Sequence, residues 1–304
     1  MRFLLLSVAV FLLGGVVGCA RPESKGYTMM TLDVGEYAFV DVAAGEFLTA
    51  DETMRRMAAA DVVFVGENHD HSLGHLLEQH LLEGMFARTP NIAVSFEMFE
   101  RDVQQHVDAY LAGKINEKEF LSLSRPWPNY PADYRPMLEF ARSNSLPVVA
   151  ANIPRPLAMV VGRGGLEAVP EDSRKWVASE LFAPDDDYKK RFIETMQAMG
   201  HQPNAMKPAA MSGMLEAIYR AQCIKDDTMA ESIVRSARDT GRKVIHYNGC
   251  FHSDFGMGTA ARVKRLAPEF KVMVIKVVPT EGKLEPPFEA VEKGIADVLI
   301  PTTR

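Results

Sequence analysis

Three cysteines in 304 residues are too few for a disulfide framework. They are Cys19, Cys223 and Cys250; the last two stand in a helical and a strand-end context and read as small buried residues rather than a pair. Positive charge is also scarce. Lys and Arg number 34 against 40 Asp and Glu, a net charge of −6, which excludes the basic patch that nucleic acid needs. The motif His-Glu-x-x-His is absent, and with it the zinc-protease helix. No short internal repeat points to a solenoid. The hydrophobic fraction, 47%, is ordinary for a globular chain long enough for one large domain, or a domain with a small insert.

One long apolar run is present, at the N-terminus. Arg2 precedes an apolar stretch, Phe3 to Val17, that ends in Val16-Val17-Gly18-Cys19. It is shorter than the ~20 apolar residues of a membrane-spanning helix and fits the h-region of a signal peptide. The order of its last residues resembles a bacterial lipobox. Residues 1–18 therefore read as a signal peptide, Cys19 as the lipidated first residue of the mature chain, and residues 19–30 as a polar tether. A single acyl chain anchors weakly, so a multiply acylated cysteine is expected. Ala20, rather than Asp, points to the outer membrane.

Beyond the tether, apolar runs alternate with helical patterns. Tyr37–Asp41 and Glu46–Thr49 read as a hairpin, and Asp51 as the N-cap of a helix to Ala60. Val62–Val65, Ile92–Phe96, Pro147–Ala151, Val244–Tyr247 and Val272–Val278 are apolar on both faces, as parallel strands covered by helices are. Helices are expected near Ser72–Arg88, Val103–Gly113, Arg135–Asn144 and Thr259–Leu266. The expected fold is α/β: a mainly parallel sheet flanked by helices, with a smaller all-helical insert at about residues 171–239. The insert is rich in methionine, as an adaptable core or a mobile apolar surface is.

Polar residues follow the strands directly. Glu67 and His69, Glu97, Asn152, and His252 come after four separate runs, so a parallel sheet delivers them to one edge. Glu67, His69, Glu97 and His252 suit a divalent metal, or a general base with its orienting partner. The bland alternative is that the histidines donate to backbone carbonyls at hinges. His71 and His75 lie four apart, either at the rim of such a site or facing solvent. Gly256-Met257-Gly258 precedes a helix and offers N–H groups to an anion.

These segments carry a family resemblance. Asp61-Val62-Val63-Phe64-Val65-Gly66-Glu67-Asn68-His69-Asp70 resembles the opening motif of the ChaN family of iron-regulated, haem-binding lipoproteins. Ser95–Gln104, Tyr134-Arg135-Pro136, Leu146–Arg155, Ala221-Gln222, Asp227–Ala230 and Gly249-Cys250-Phe251-His252 continue it in order. The resemblance implies a superfamily shared with Tiki proteases and erythromycin esterases, marked by two Gly-x-x-His motifs and a glutamate pair. Here these fall at Gly66 to His69, Gly249 to His252, Glu67 and Glu97. Two departures stand at the rim: Gly74-His75 replaces a pair of adjacent histidines, and the aromatic segment Pro126–Tyr130 is short.

The resemblance implies haem as cofactor, whereas the shared motif looks hydrolytic. Without Cys-x-x-Cys-His, haem would be held non-covalently. Tyr188, Tyr219 and His201 are the candidate axial ligands, and Lys189, Lys190 and Arg191 the candidate partners for propionates. The expected function is a membrane-tethered haem-binding lipoprotein of haem or iron uptake. The alternative is a metal-dependent hydrolase using Glu67, His69, Glu97 and His252. A scaffold that only docks on a haem receptor is a third reading. An outer-membrane haem receptor and a second copy of the chain are the expected partners.

Overall fold

The computed structural model describes residues 30–32, 35–198, 208–281 and 292–303. Cys19, the N-terminal apolar run read as a signal peptide, and His201 lie outside them. Strands β1 (Met30–Leu32), β2 (Gly35–Tyr37), β3 (Phe39–Asp41) and β4 (Glu46–Leu48) open the chain and lead into helix α1 (Ala50–Ala59). Then β5 (Val62–Glu67), α2 (Ser72–Arg88) and β6 (Ile92–Glu100) alternate. Four helices follow: α3 (Gln104–Leu111), α4 (Glu117–Ser124), α5 (Tyr130–Asp133) and α6 (Arg135–Ser143). After β7 (Val148–Asn152) come α7 (Arg155–Gly164), α8 (Asp187–Ala198) and α9 (Pro208–Thr240). β8 (Lys243–Gly249), α10 (Gly258–Leu266), β9 (Val272–Pro279) and β10 (Val298–Thr303) complete it.

Parallel pairing orders the central strands β10-β9-β5-β8-β6-β7. β2 and β3 pair antiparallel with β10, and the hairpin expected at residues 37–49 is β3 with β4. The apolar runs are strands because both of their faces are covered. Along β5, Val63 and Val65 enter one core with Leu77, Leu81 and Met85 of α2 and Met137 and Leu138 of α6. Val62 and Phe64 enter the opposite core with Ala230 and Ile233 of α9 and Ala260 and Val263 of α10. Each such fully buried side chain contributes about 1.5–3 kcal/mol.

One expectation is corrected. Thr49, not Asp51, caps α1: its hydroxyl accepts the Glu52 N–H at 3.1 Å, and Asp51 sits in the first turn, where its charge favours the helix dipole. The helical stretch at 171–239 packs on the sheet through α9. Ala230, Ile233, Val234 and Ala237 of α9 form one wall of the sheet's second core. The same helix extends towards its N-terminus to pack Tyr219 and Cys223 against Tyr188 and Phe192 of α8. No helix among the described residues is long and apolar enough to cross a membrane.

The chain runs one way across the sheet from β5 to β6 and β7. It runs the other way from β8 to β9 and β10. The reversal lies at β5 and β8, where open α/β sheets bind ligands at the carboxyl ends of their strands.

Candidate functional site

Three neighbouring strands, β5, β8 and β6, bring Glu67, His252 and Glu97 to one edge. The residues do not form one quartet. They divide into two clusters, one on each side of the sheet. Glu67 continues the Val63, Val65 side, whereas Glu97 continues the Ala93 side.

On the first side, Glu67 Oε1 accepts from the Tyr134 hydroxyl at 2.7 Å and from His69 Nδ1 at 2.6 Å. Its other oxygen lies 3.3 Å from His75 Nδ1, which also faces Glu78 Oε2 at 3.1 Å. Burial alone would raise the Glu67 carboxyl, but the hydrogen bonds of His69 and His75 hold it well below the usual carboxylate range. Burial and the charge of Glu67 push Glu78 well above that range. His75, against the pull of burial, is raised to about 11 by the two carboxyls. His75 is thus neither at a rim nor in solvent; it is 5% exposed. His71 is buried as well, with Nε2 3.2 Å from the Thr302 hydroxyl.

On the second side, Glu97 Oε2 accepts the Gly249 N–H at 2.8 Å, and Oε1 lies 3.3 Å from His252 Nε2. His252 Nδ1 is 2.6 Å from Asp226 of α9. Asp226 also accepts from the hydroxyls of Thr259, at 2.8 Å, and Tyr188, at 2.6 Å. Burial works against the charge on Asp226, yet Arg262 and His252 hold its carboxyl below the ordinary value. Likewise Glu97, despite burial, is lowered to about 2 by His252, and His252 is raised to about 9 by Glu97 and Asp226. Asn152 is structural here: its amide donates to the Glu97 carbonyl at 3.1 Å and accepts from Ile153 N–H at 2.9 Å.

His69 stands between the two clusters. Its side chain is 47% exposed and meets the Trp127 ring edge-on at 4.9 Å. A Cβ on Gly249 would sit 2.8 Å from its imidazole, so glycine is what lets β8 pass beneath it. Gly249→Ala is therefore expected to turn His69 away from Glu67 while leaving the fold within about 1 kcal/mol of wild type. His69 is held above its ordinary pKa, burial notwithstanding, mainly by the Glu67 hydrogen bond. Its NMR titration midpoint should fall in the variant; an unchanged midpoint would contradict this packing.

A cleft of about 400 Å³ opens beside the second cluster. Tyr188, Arg191 and Thr195 of α8 form one wall; Phe251, Phe255 and Met257 form the other, with Lys276 and Ile295 at its end. Arg191 lies 3.7 Å over the Phe255 ring and pairs with Glu292 at 3.0 Å. Lys276 pairs with Asp254. Phe255 has φ +60°, a left-handed conformation that bulky residues adopt under strain, and strain of this kind gathers at functional sites. The turn before α10 uses the Gly256 and Met257 N–H groups internally, at 3.0 Å each. Asp226 meets the start of α10 through the Thr259 hydroxyl, not through these N–H groups.

A family model described as haem-binding uptake, Tiki superfamily, ChaN, matches residues 53–263. The chain belongs to the ChaN family. The ChaN structure of Campylobacter jejuni, described by cofacial haem binding, superposes with a TM-score of 0.67 at 16% identity. It covers 89% of this chain and 98% of that one, and shows the same α/β fold. An erythromycin esterase structure, EreC in its open conformation, aligns at TM-score 0.44 and 16% identity over 88% of this chain and 83% of its own. That likeness carries no argument about activity. RETICULATA-RELATED 5, a chloroplast protein of Arabidopsis thaliana, is 23% identical over 262 residues, 80% of this chain. The chain spans about a third of that relative's length, 34%.

Against the ChaN expectation, Tyr188 and Tyr219 are found with their hydroxyls engaged. Tyr188 donates to Asp226 at 2.6 Å, and Tyr219 to the Pro184 carbonyl at 2.6 Å. The two rings pack with Phe192 and Phe251 in an aromatic cluster of tilted and edge-on pairs. Of the basic run, Lys189 pairs with Glu216 and Asp185, and only Arg191 faces the cleft. Cys223 is buried and Cys250 partly so, and both are free thiols. The reading by strand ends missed Tyr134, Glu78, Asp226 and Arg262. Glu78 was detectable as an acid three residues after His75 on the buried face of α2. Asp226 and Arg262 are charged residues on otherwise apolar helix faces.

Proposed function

We propose that this ChaN-family chain is a haem-binding lipoprotein of the cell envelope. In this reading it is tethered through lipid on Cys19, most naturally at the outer membrane, and serves haem or iron uptake beside an outer-membrane haem receptor. The observation that carries the binding is the cleft beside α8. It joins apolar surface from Phe251, Phe255, Met257 and Ile295 to the cations Arg191 and Lys276. Those are the two requirements of a flat apolar macrocycle bearing carboxylates, and haem would supply the iron. Arg191 and Lys276 would exchange Glu292 and Asp254 for propionates. Tyr188, Tyr219 and His201 remain the proposed axial donors. Cofacial binding, described for the Campylobacter jejuni relative, fits a homodimer in which the open clefts of two copies meet.

Haemin titration of residues 20–304, followed by Soret absorbance, tests this. The expected result is a saturable shift at a simple ratio, weakened in an Arg191→Ala, Lys276→Ala double variant. Tyr188→Phe, Tyr219→Phe and His201→Ala then assign the axial donor by their Soret maxima. Tyr188→Phe should also cost about 1–3 kcal/mol of stability, because Asp226 loses a buried donor. Free-haemin behaviour throughout the titration sinks the proposal.

One observation favours a second reading, a metal-dependent hydrolase. Glu97, His252 and Asp226 form a buried chain of acid, imidazole and acid, and half-exposed His69 stands beside it, held by Glu67. Glu67→Ala and His252→Ala separate the readings. Loss of a measured hydrolysis with haem affinity unchanged assigns the strand edge to catalysis.

A further inference from the structure

Glu67, His75 and Glu78 are buried with more acceptors than donors. Glu67 is 1% exposed and Glu78 0%. Glu67 Oε2 and Glu78 Oε1 are buried without a well-formed hydrogen bond among the described residues. One donor, His75 Nδ1, is shared between the two carboxyls, 3.1 Å from Glu78 Oε2 and 3.3 Å from Glu67 Oε2. Tyr134 and His69 both serve the other Glu67 oxygen, and the Tyr247 hydroxyl serves the Glu78 main-chain carbonyl.

The far nitrogen of His75 sharpens the point. Nε2 faces the His69 carbonyl at 3.3 Å and the Asp133 carboxylate at 3.5 Å. A metal-binding histidine keeps its remaining N–H on just such a carbonyl or carboxylate. A metal ion would displace the proton on Nδ1, leaving its lone pair facing Glu67 Oε2 and Glu78 Oε2, at 3.3 and 3.1 Å. Without a metal the proton on His75 is the cation among these three ligand atoms, and a divalent ion would take its place. One ligand atom from each residue can be chosen so that all three lie within 4.8 Å of one another. Ligands ~2.1 Å from a tetrahedral ion are separated by about 3.4 Å, close to these contacts.

We propose that Glu67, His75 and Glu78 form a buried site for one divalent first-row transition-metal ion. Two carboxylates balance its charge, and the mixed oxygen and nitrogen set suits Mn²⁺, Fe²⁺ or Zn²⁺, not Ca²⁺, which takes 6–8 oxygens. Its role is positional. The ion ties α2 to the end of β5 and fixes Glu67, whose other oxygen orients His69. The cleft beside α8 contains none of these residues, so metal and haem binding stand or fall separately.

The test uses haem-free protein stripped with chelator and titrated with Mn²⁺, the free aqua ion being counted by electron paramagnetic resonance. One equivalent of Mn²⁺ should be taken up per chain, be displaced by Zn²⁺, and raise Tm. Glu78→Gln should weaken uptake by about 100-fold or more. His80→Gln, on the exposed face of α2, should leave it unchanged. Metal-free Glu78→Gln should match the wild type in circular dichroism, which separates lost ligation from lost fold. No uptake of Mn²⁺ or Zn²⁺ at millimolar concentration overturns the proposal. So does a Glu78→Gln variant that binds as tightly as wild type. In either case a carboxylic-acid carbonyl band in the infrared, absent from Glu78→Gln, would identify a proton as the cation.

Discussion

Replacing Arg262 with alanine should cost about 3–5 kcal/mol, seen as a fall in the urea midpoint with an unchanged slope. Arg262 is 2% exposed, and its guanidinium spends every face on the fold. It donates to Asp227 at 2.8 Å, to the Gly258 carbonyl at 2.9 Å and to the Phe182 carbonyl at 2.7 Å, with Asp226 at 3.7 Å. Through these it holds α10 to α9 and to the segment before α8. Alanine would take one donor from Asp227 and from each of two carbonyls and remove the positive charge beside Asp226, and the lost charge compensation, not the lost contact area, sets the size of the effect. Methionine restores much of the volume and none of the donors, so Arg262→Met should fall near alanine. If the methionine variant is within 1 kcal/mol of wild type, the charge argument fails. The loss should also reach the candidate site, because Asp226, freed of Arg262, sits 2.6 Å from His252.

That coupling shows what the sequence could and could not disclose. The strands were readable because helices cover both of their faces, which leaves runs such as Val62–Val65 wholly apolar. The carboxyl-edge rule then placed Glu67, Glu97 and His252 together without a structure. It could not say that Glu67 and Glu97 take opposite sides of the sheet. In an amphipathic strand the polar face reveals the parity, but when both faces are apolar the pattern is silent about which side each residue takes. Asp226 and Arg262 stayed hidden because their partnership joins two helices across 36 positions, and Asp226 finds its histidine only in three dimensions. Thr49 and Asp51 are both good caps, and geometry alone chooses between them. Within the stretch expected as an insert, α9 serves two layers, lying on the sheet at its end and against α8 near its middle.

The ring of His252 should titrate near pH 9, well above an ordinary histidine. Burial opposes the charged form, but Glu97 and Asp226 on its two nitrogens raise the pKa to about 9. A folded-state pKa above the unfolded ~6.5 means that this stabilisation is complete below pH 6.5 and is lost as pH rises through 9. Its size is on the order of 3 kcal/mol. Glu97 has the opposite sign: lowered to about 2, it contributes above the unfolded value of ~4.3 and is lost as pH falls through 2. The pair is therefore at full strength between about pH 4.5 and 6.5. Following the His252 Cε1–H resonance against pH measures this directly, and His252→Gln should flatten the decline in stability between pH 6.5 and 9. A midpoint below 6.5 would sink the account. The consequence for function is specific. At neutral pH His252 is an imidazolium locked between two carboxylates, able to donate a proton or hold a negative charge but not to accept a proton. A hydrolase that used it as a general base would gain rate only as pH rises towards 9. If hydrolysis is found near neutrality, the base must be another group, and half-exposed His69 beside Glu67 is the one placed to serve.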